Sequence, residues 1–195
     1  MIKNKLVVLV IALTLIFSCW MTAQEKTEAA PKVAGLRGEL LAQLSDVGGK
    51  IVDLANAMPA ETYSWRPMDG VRSVGEVYMH IGGSNYLFPS FVGAKMPEGL
   101  DENMEKSVIE KTKVMDFVKQ SLDHFRQVLL DMNEEDLDKP ATMFGRETTA
   151  RNVLLTGMMH LHEHLGQSIA YARSNHIVPP WTAAEQAKQE AKEKK

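Results

Sequence analysis

Met159-His160-Leu161-His162-Glu163-His164-Leu165-Gly166-Gln167 lies inside a longer run in which Val153, Leu154, Met158, Leu161, Ile169 and Tyr171 recur at helical spacing. A helix returns after four residues to within about 40° of its start, so His160 and His164 share a face while His162 points about 200° away. One helix therefore presents two imidazoles to a single point, and a third must come from another element. His80, alone in an earlier apolar helical stretch, is the best-placed candidate. Taken alone, His80 would read as a hydrogen-bonded core residue. Beside a His-x-x-x-His step it reads as the third ligand of a metal site built inside a helical bundle.

Outward from that run, the same periodicity recurs three times. Leu36, Leu40, Leu44, Val47, Ile51, Leu54 and Ala55 form a first helical stripe that stops at Pro59. Ser73-Val74-Gly75-Glu76 has the form of a capping box and opens a second helix reaching about Phe91, with Val77, Ile81, Ser84 and Leu87 on the inner face beside His80. Glu76 lies one turn before His80, but its position in the capping box explains it without chemistry. Val108, Val114, Met115, Val118, Leu122, Phe125, Leu129 and Met132 make a third helix, and Thr148 and Thr149 are positioned to cap the fourth.

The stretch from 93 to 105 is broken by Gly93, Pro97 and Gly99 and reads as a long loop, of a length that suggests a pocket wall. No alternation of period two marks a strand. The expected fold is all-α, an antiparallel four-helix bundle over residues 33–181, followed by a charged tail, 182–195, to which no function is assigned.

Before the bundle stands a segment of another kind. Two lysines in the first five residues precede an apolar run from Leu6 to Phe17, the pattern of a cleaved secretory signal, and too short to span a bilayer comfortably. Ile16-Phe17-Ser18-Cys19 resembles a lipobox, which would place a lipid anchor on Cys19, whereas Met21-Thr22-Ala23 before Gln24 resembles an ordinary cleavage site. Residues 1–23 are therefore read as a signal peptide or lipoprotein signal and 24–32 as a flexible tether. The expected location is outside the cytoplasm, in the periplasm or cell envelope.

Composition narrows the chemistry. Cys19 is the only cysteine, so the bundle has no disulfide and no catalytic thiol, and any metal must be held by nitrogen and oxygen. A net charge of -3, without a basic stripe, argues against nucleic acid as a partner. Three histidines leave an open coordination position, as in catalytic zinc sites, and imidazole alone does not choose between zinc, nickel, copper and iron. Gln167 and Tyr171 each fall seven residues after one histidine of the pair. They are either outer partners of the site or polar residues of a helix end.

Gly75-Glu76-Val77-Tyr78-Met79-His80, the run from His160 to Gln167 followed by Tyr171-Ala172-Arg173, and Trp65-Arg66-Pro67 with Arg72-Ser73-Val74 together resemble the DinB superfamily of metalloenzymes. The resemblance covers about Val33 to Trp181. It implies a four-helix bundle holding one divalent ion, often zinc or nickel, on His80 from the second helix and His160 and His164 from the fourth. Glu163 stands where many relatives have a further histidine, at a position that is not a ligand. His162 falls outside the ligand pattern, and His124 and His176 take ordinary roles.

The resemblance further implies metal-dependent hydrolases, thiol-dependent S-transferases or isomerases, and a homodimer is common among such proteins. Export disfavours a cytosolic thiol cofactor, so the leading expectation is a metal-dependent hydrolase acting on an unidentified small molecule. The alternative from another class is a non-catalytic envelope protein that binds metal or a small ligand.

Overall fold

The computed structural model describes residues 33–100 and 103–194. The expected signal segment (1–23, with Cys19) and the expected tether (24–32) lie outside the described residues. Helix α1 spans Gly35–Ala57 and α2 spans Val74–Ser90. A single turn, α3, covers Met104–Ser107, followed by α4 over Lys111–Asp131. Strands β1, Pro140–Met143, and β2, Arg146–Thr149, pair antiparallel. Helix α5 runs over Ala150–Ser174 and α6 over Pro180–Glu193.

The second helix begins as its capping box dictates. Ser73 Oγ accepts from the Glu76 backbone N–H, and the Glu76 carboxylate accepts from the Ser73 N–H at 2.6 Å. These bonds satisfy two backbone donors that a helix start otherwise leaves open. Glu76 is thus a capping residue, and its other oxygen accepts from Arg66 at 3.2 Å. At the start of α5 the Thr149 side chain accepts from the Asn152 N–H.

The four long helices bury a shared core that includes Val47, Ile51 and Leu54 of α1, Val77 and Ile81 of α2, Val118, Phe125 and Leu129 of α4, and Leu154 and Leu161 of α5. Their order around the bundle is α1, α4, α2, α5, so α1 and α2 face each other across a diagonal. Directions follow from matched contacts. Arg37 reaches the Leu129 carbonyl, Gly48 faces Leu122, and Lys111 reaches the Asn56 carbonyl, so α1 and α4 are antiparallel. Tyr171 reaches the Arg72 carbonyl and Gly157 faces Phe88, so α2 and α5 are antiparallel too.

Between α2 and α4 the matches run the other way. Gly82 faces Phe117, and Asn85 donates to Ser121, so these neighbours are parallel, and α1 is then parallel to α5. At Gly82 the approach is so close that a Cβ would fall 2.5 Å from the Phe117 ring.

The expected all-α antiparallel bundle therefore holds in its four helices and is corrected in direction: two of its four adjacent pairs are parallel. The physical reason lies in the connections. A parallel neighbour can be reached only by a chain that travels back along the bundle, and the long segment between α2 and α4 makes that return. The assumption that short loops join antiparallel neighbours fails there.

The second correction is the hairpin β1–β2, where no strand was expected. Its strands have four residues each, too short for alternation to stand out. Its two-residue turn is Phe144-Gly145, with φ of 51° and 76°. A left-handed pair suits the twist of a hairpin, but phenylalanine is an unusual residue there and gives no turn signal. One boundary also moves, as α4 starts at Lys111 rather than Val108, while the charged tail forms most of helix α6, in keeping with its alternating charge and alanine. Among the described residues no helix is long and apolar enough to cross a membrane.

Candidate metal centre

His80 lies in the second turn of α2, and His160 and His164 lie one turn apart on α5. Antiparallel packing of the two helices brings the three rings together. His160 Nε2 stands 3.1 Å from His80 Nε2 and 3.1 Å from His164 Nε2. Each residue offers a ligand nitrogen within 4.8 Å of the other two. Two bonds of about 2.0–2.1 Å meeting at a tetrahedral angle separate their nitrogens by about 3.3 Å, so the spacing fits one shared ion.

Two of the rings are held towards the neutral form that binds metal. Burial, then the neighbouring His164, His80 and Arg72 charges, push the His160 pKa down to about 3. The His80 pKa is also lowered, by burial first and then by Arg72 and His164, against the opposing pull of Glu105. A neutral imidazole carries the lone pair a metal needs, so neither His160 nor His80 has to lose a net proton at neutral pH.

Outer contacts hold two of the rings. Glu105, on α3 of the return segment, sets Oε2 3.1 Å from His80 Nδ1, and Arg72 Nε donates to Glu105 Oε1 at 2.5 Å. Burial works against the Glu105 carboxylate, but hydrogen bonds and charge from Arg72, with His80, hold its pKa below the ordinary value. Gln167 Oε1 lies 2.8 Å from His164 Nδ1, and Gln167 Nε2 donates to Tyr171 at 3.2 Å. Tyr171 in turn meets Trp65 edge-on at 5.4 Å.

His160 differs. Its Nδ1 is buried without a hydrogen-bond partner, its ring lies against Phe88 at 5.3 Å, and Ser84 Oγ is 3.5 Å from its Nε2.

The structure thus brings together His80, His160 and His164. It leaves His162 and His176 exposed and places His124 against Tyr86 on the α2–α4 side. Of the two expectations for Gln167 and Tyr171, the outer-partner reading is the one their contacts match. Glu105 went unrecognised because it lies in a segment without periodicity. Its only trace in the sequence is the expectation that the long loop forms a pocket wall.

The profile of the DinB superfamily matches residues 26–168. The chain belongs to the DinB superfamily. Among relatives of this DinB protein, the uncharacterized protein YjoA of Bacillus subtilis (strain 168) is 26% identical over 124 residues, covering 62% of this chain and 79% of YjoA. A DinB-like protein from Bacillus cereus ATCC 10987 superposes with a TM-score of 0.65 at 20% identity, covering 72% of this chain and 93% of its own. YfiT from Bacillus subtilis, described as a probable metal-dependent hydrolase with an unusual four-helix bundle topology, superposes with a TM-score of 0.59 at 14% identity, covering 77% of this chain and 94% of its own. At these identities the superpositions establish the shared fold.

Proposed function

We propose that this DinB protein is a metal-dependent hydrolase of small molecules, with one divalent ion, zinc or nickel, held by His80, His160 and His164. The observation that carries the reading is the convergence of three imidazoles from two helices, with 3.1 Å between neighbouring nitrogens. When bound, a divalent ion on three nitrogens supplies an open position that activates water near neutral pH and polarises a substrate oxygen.

The chain's own residues do the rest. The two helices set the ring positions, and Glu105 and Gln167 orient two of the rings through their Nδ1 atoms. Phe88 packs its ring against one side of His160. YfiT, described as a probable metal-dependent hydrolase, supports the choice of hydrolysis by analogy of fold. Export through the leader segment belongs to the same reading and disfavours transfer to a cytosolic thiol.

One observation favours a second reading, a metal-binding protein without catalysis. Glu105, the carboxylate that touches the triad, is engaged on both oxygens by Arg72 and on Oε2 also by His80, so it is not a free base. The separating experiment is a panel of ester, amide and phosphoester substrates, with thiol-transfer reactions as controls, run on the metal-loaded chain and on the double variant His160→Ala/His164→Ala. Turnover that disappears with the metal supports the hydrolase. Stoichiometric metal without turnover across the panel supports the binding protein.

A further inference from the structure

Hydrogen bonds of forced direction connect two of the three rings to a single residue, Arg72. A backbone carbonyl only accepts, so the Tyr171 hydroxyl, 3.1 Å from the Arg72 oxygen, must donate to it. The Tyr171 oxygen is then the acceptor for Gln167 Nε2, which turns the amide oxygen of Gln167 towards His164 Nδ1. An amide oxygen also only accepts, so the proton of His164 sits on Nδ1 and the lone pair on Nε2.

The other arm starts from the same residue's side chain. The Arg72 guanidinium donates to both Glu105 oxygens, at 2.5 and 3.4 Å, and Oε2 accepts from His80 Nδ1. A carboxylate likewise fixes the His80 proton on Nδ1. Both rings therefore turn lone pairs inward.

His160 completes the pattern by contrast. Its Nε2 faces two inward lone pairs at 3.1 Å, and its Nδ1 is buried with no acceptor. In the metal-free protein the proton of His160 belongs on Nε2, shared with its two neighbours.

We propose that Arg72, through Glu105 on one side and through Tyr171 and Gln167 on the other, is the hub of a positioning network that fixes His80 and His164 as Nε2 ligands before an ion arrives, leaving His160 as the one ring that must change tautomer on binding. In that change the Nε2 proton passes to solvent and Nδ1 takes one from solvent, so no net proton is gained or lost at the ring. None of the four residues touches the ion. Their effect is on ring orientation and on which nitrogen is bare.

The test reads the proton positions directly, through long-range proton–nitrogen correlation spectra of the histidines in the full, metal-free chain near pH 8. The expected pattern is Nδ1–H for His80 and His164 and Nε2–H for His160. Tyr171→Phe keeps the ring but releases the Gln167 amide to flip, and should turn His164 into a tautomer mixture while His80 is unchanged. Glu105→Gln should present an amide N–H to His80 and invert that ring alone.

Zinc affinity, measured by competition with a chromogenic chelator, should fall about 10- to 100-fold in each variant. A purely structural role for Tyr171 would lower the unfolding temperature without moving the His164 signals, and that result overturns the proposal. So does Nε2–H on His164 in the unaltered chain. The affinity arm rests on the metal centre proposed above, whereas the nitrogen signals need no ion. A chain with the expected tautomers that took up no zinc would remove the metal centre and leave the network standing.

Discussion

His80 Nε2 lies 3.1 Å from His160 Nε2, although the two residues are eighty positions apart in the chain. Only the antiparallel seating of α2 on α5 brings them together, so the triad is a property of the folded bundle.

Metal should therefore stabilise the fold and not merely decorate it. A ligand that binds only the folded state at 100 times its Kd adds about 2.7 kcal/mol. Zinc is expected to raise the Tm of the unaltered chain and to leave that of His164→Ala unmoved in a thermal melt. An equal shift in both would place the ion elsewhere.

The lowered histidine pKa values give the metal-free protein a defined response to acid. Burial first, then neighbouring positive charge, lowers His160 to about 3 when folded, while an unfolded histidine titrates near 6.5. Between those values the unfolded chain holds a proton that the folded one does not, so stability rises with pH across this window. The stability contributed by a neutral His160 is fully present above about pH 6.5 and is lost progressively as pH falls towards 3. Urea midpoints at pH 5 and 7.5 should show this decrease, and His160→Ala should flatten it. A wild-type profile as flat as the variant's would show that the ring is not desolvated.

Capping and site should separate cleanly. Ser73→Ala removes one half of the capping box of α2 and is expected to lower stability by about 1 kcal/mol, read from denaturant unfolding. His80 lies two turns further on, so metal stoichiometry should be retained. Loss of the ion in this variant would mean that the start of α2 frays as far as the site.

Leu161 lies between His160 and His162 on α5 and is wholly buried. Its truncation, Leu161→Ala, should cost about 2–5 kcal/mol. Met159→Ala, on the exposed face of the same helix, should change stability by less than about 0.5 kcal/mol. Comparable losses in both would contradict the orientation of α5 and, with it, of the His160–His164 pair.

The four helices and the His160–His164 pair were legible in the sequence because each depends on a local period, whereas His80 was assigned from its apolar helical stretch and from the family resemblance. Apolar residues at three- and four-residue steps identify α1, α2, α4 and α5, and the four-residue step between His160 and His164 identifies their common face. Helix direction has no such signature. It is set by where the chain leaves α2 at Ser90 and re-enters the bundle at Lys111, and nothing in the spacing of Gly93, Pro97 and Gly99 specifies a path. Glu105 was hidden for the same reason, since its contact with His80 depends on that path. The hairpin was hidden by Phe144, which holds a left-handed turn position without the glycine or asparagine that usually marks one.

The central claim is that one divalent ion sits on three histidine nitrogens, and X-ray absorption at the edge of the metal that co-purifies with the untagged chain tests it most directly. The account predicts one equivalent of metal with three imidazole nitrogens at about 2.0–2.1 Å and oxygen at the open position, falling to two nitrogens or to no metal in His80→Ala. Absence of stoichiometric metal, or a first coordination sphere unchanged by His80→Ala, would contradict it.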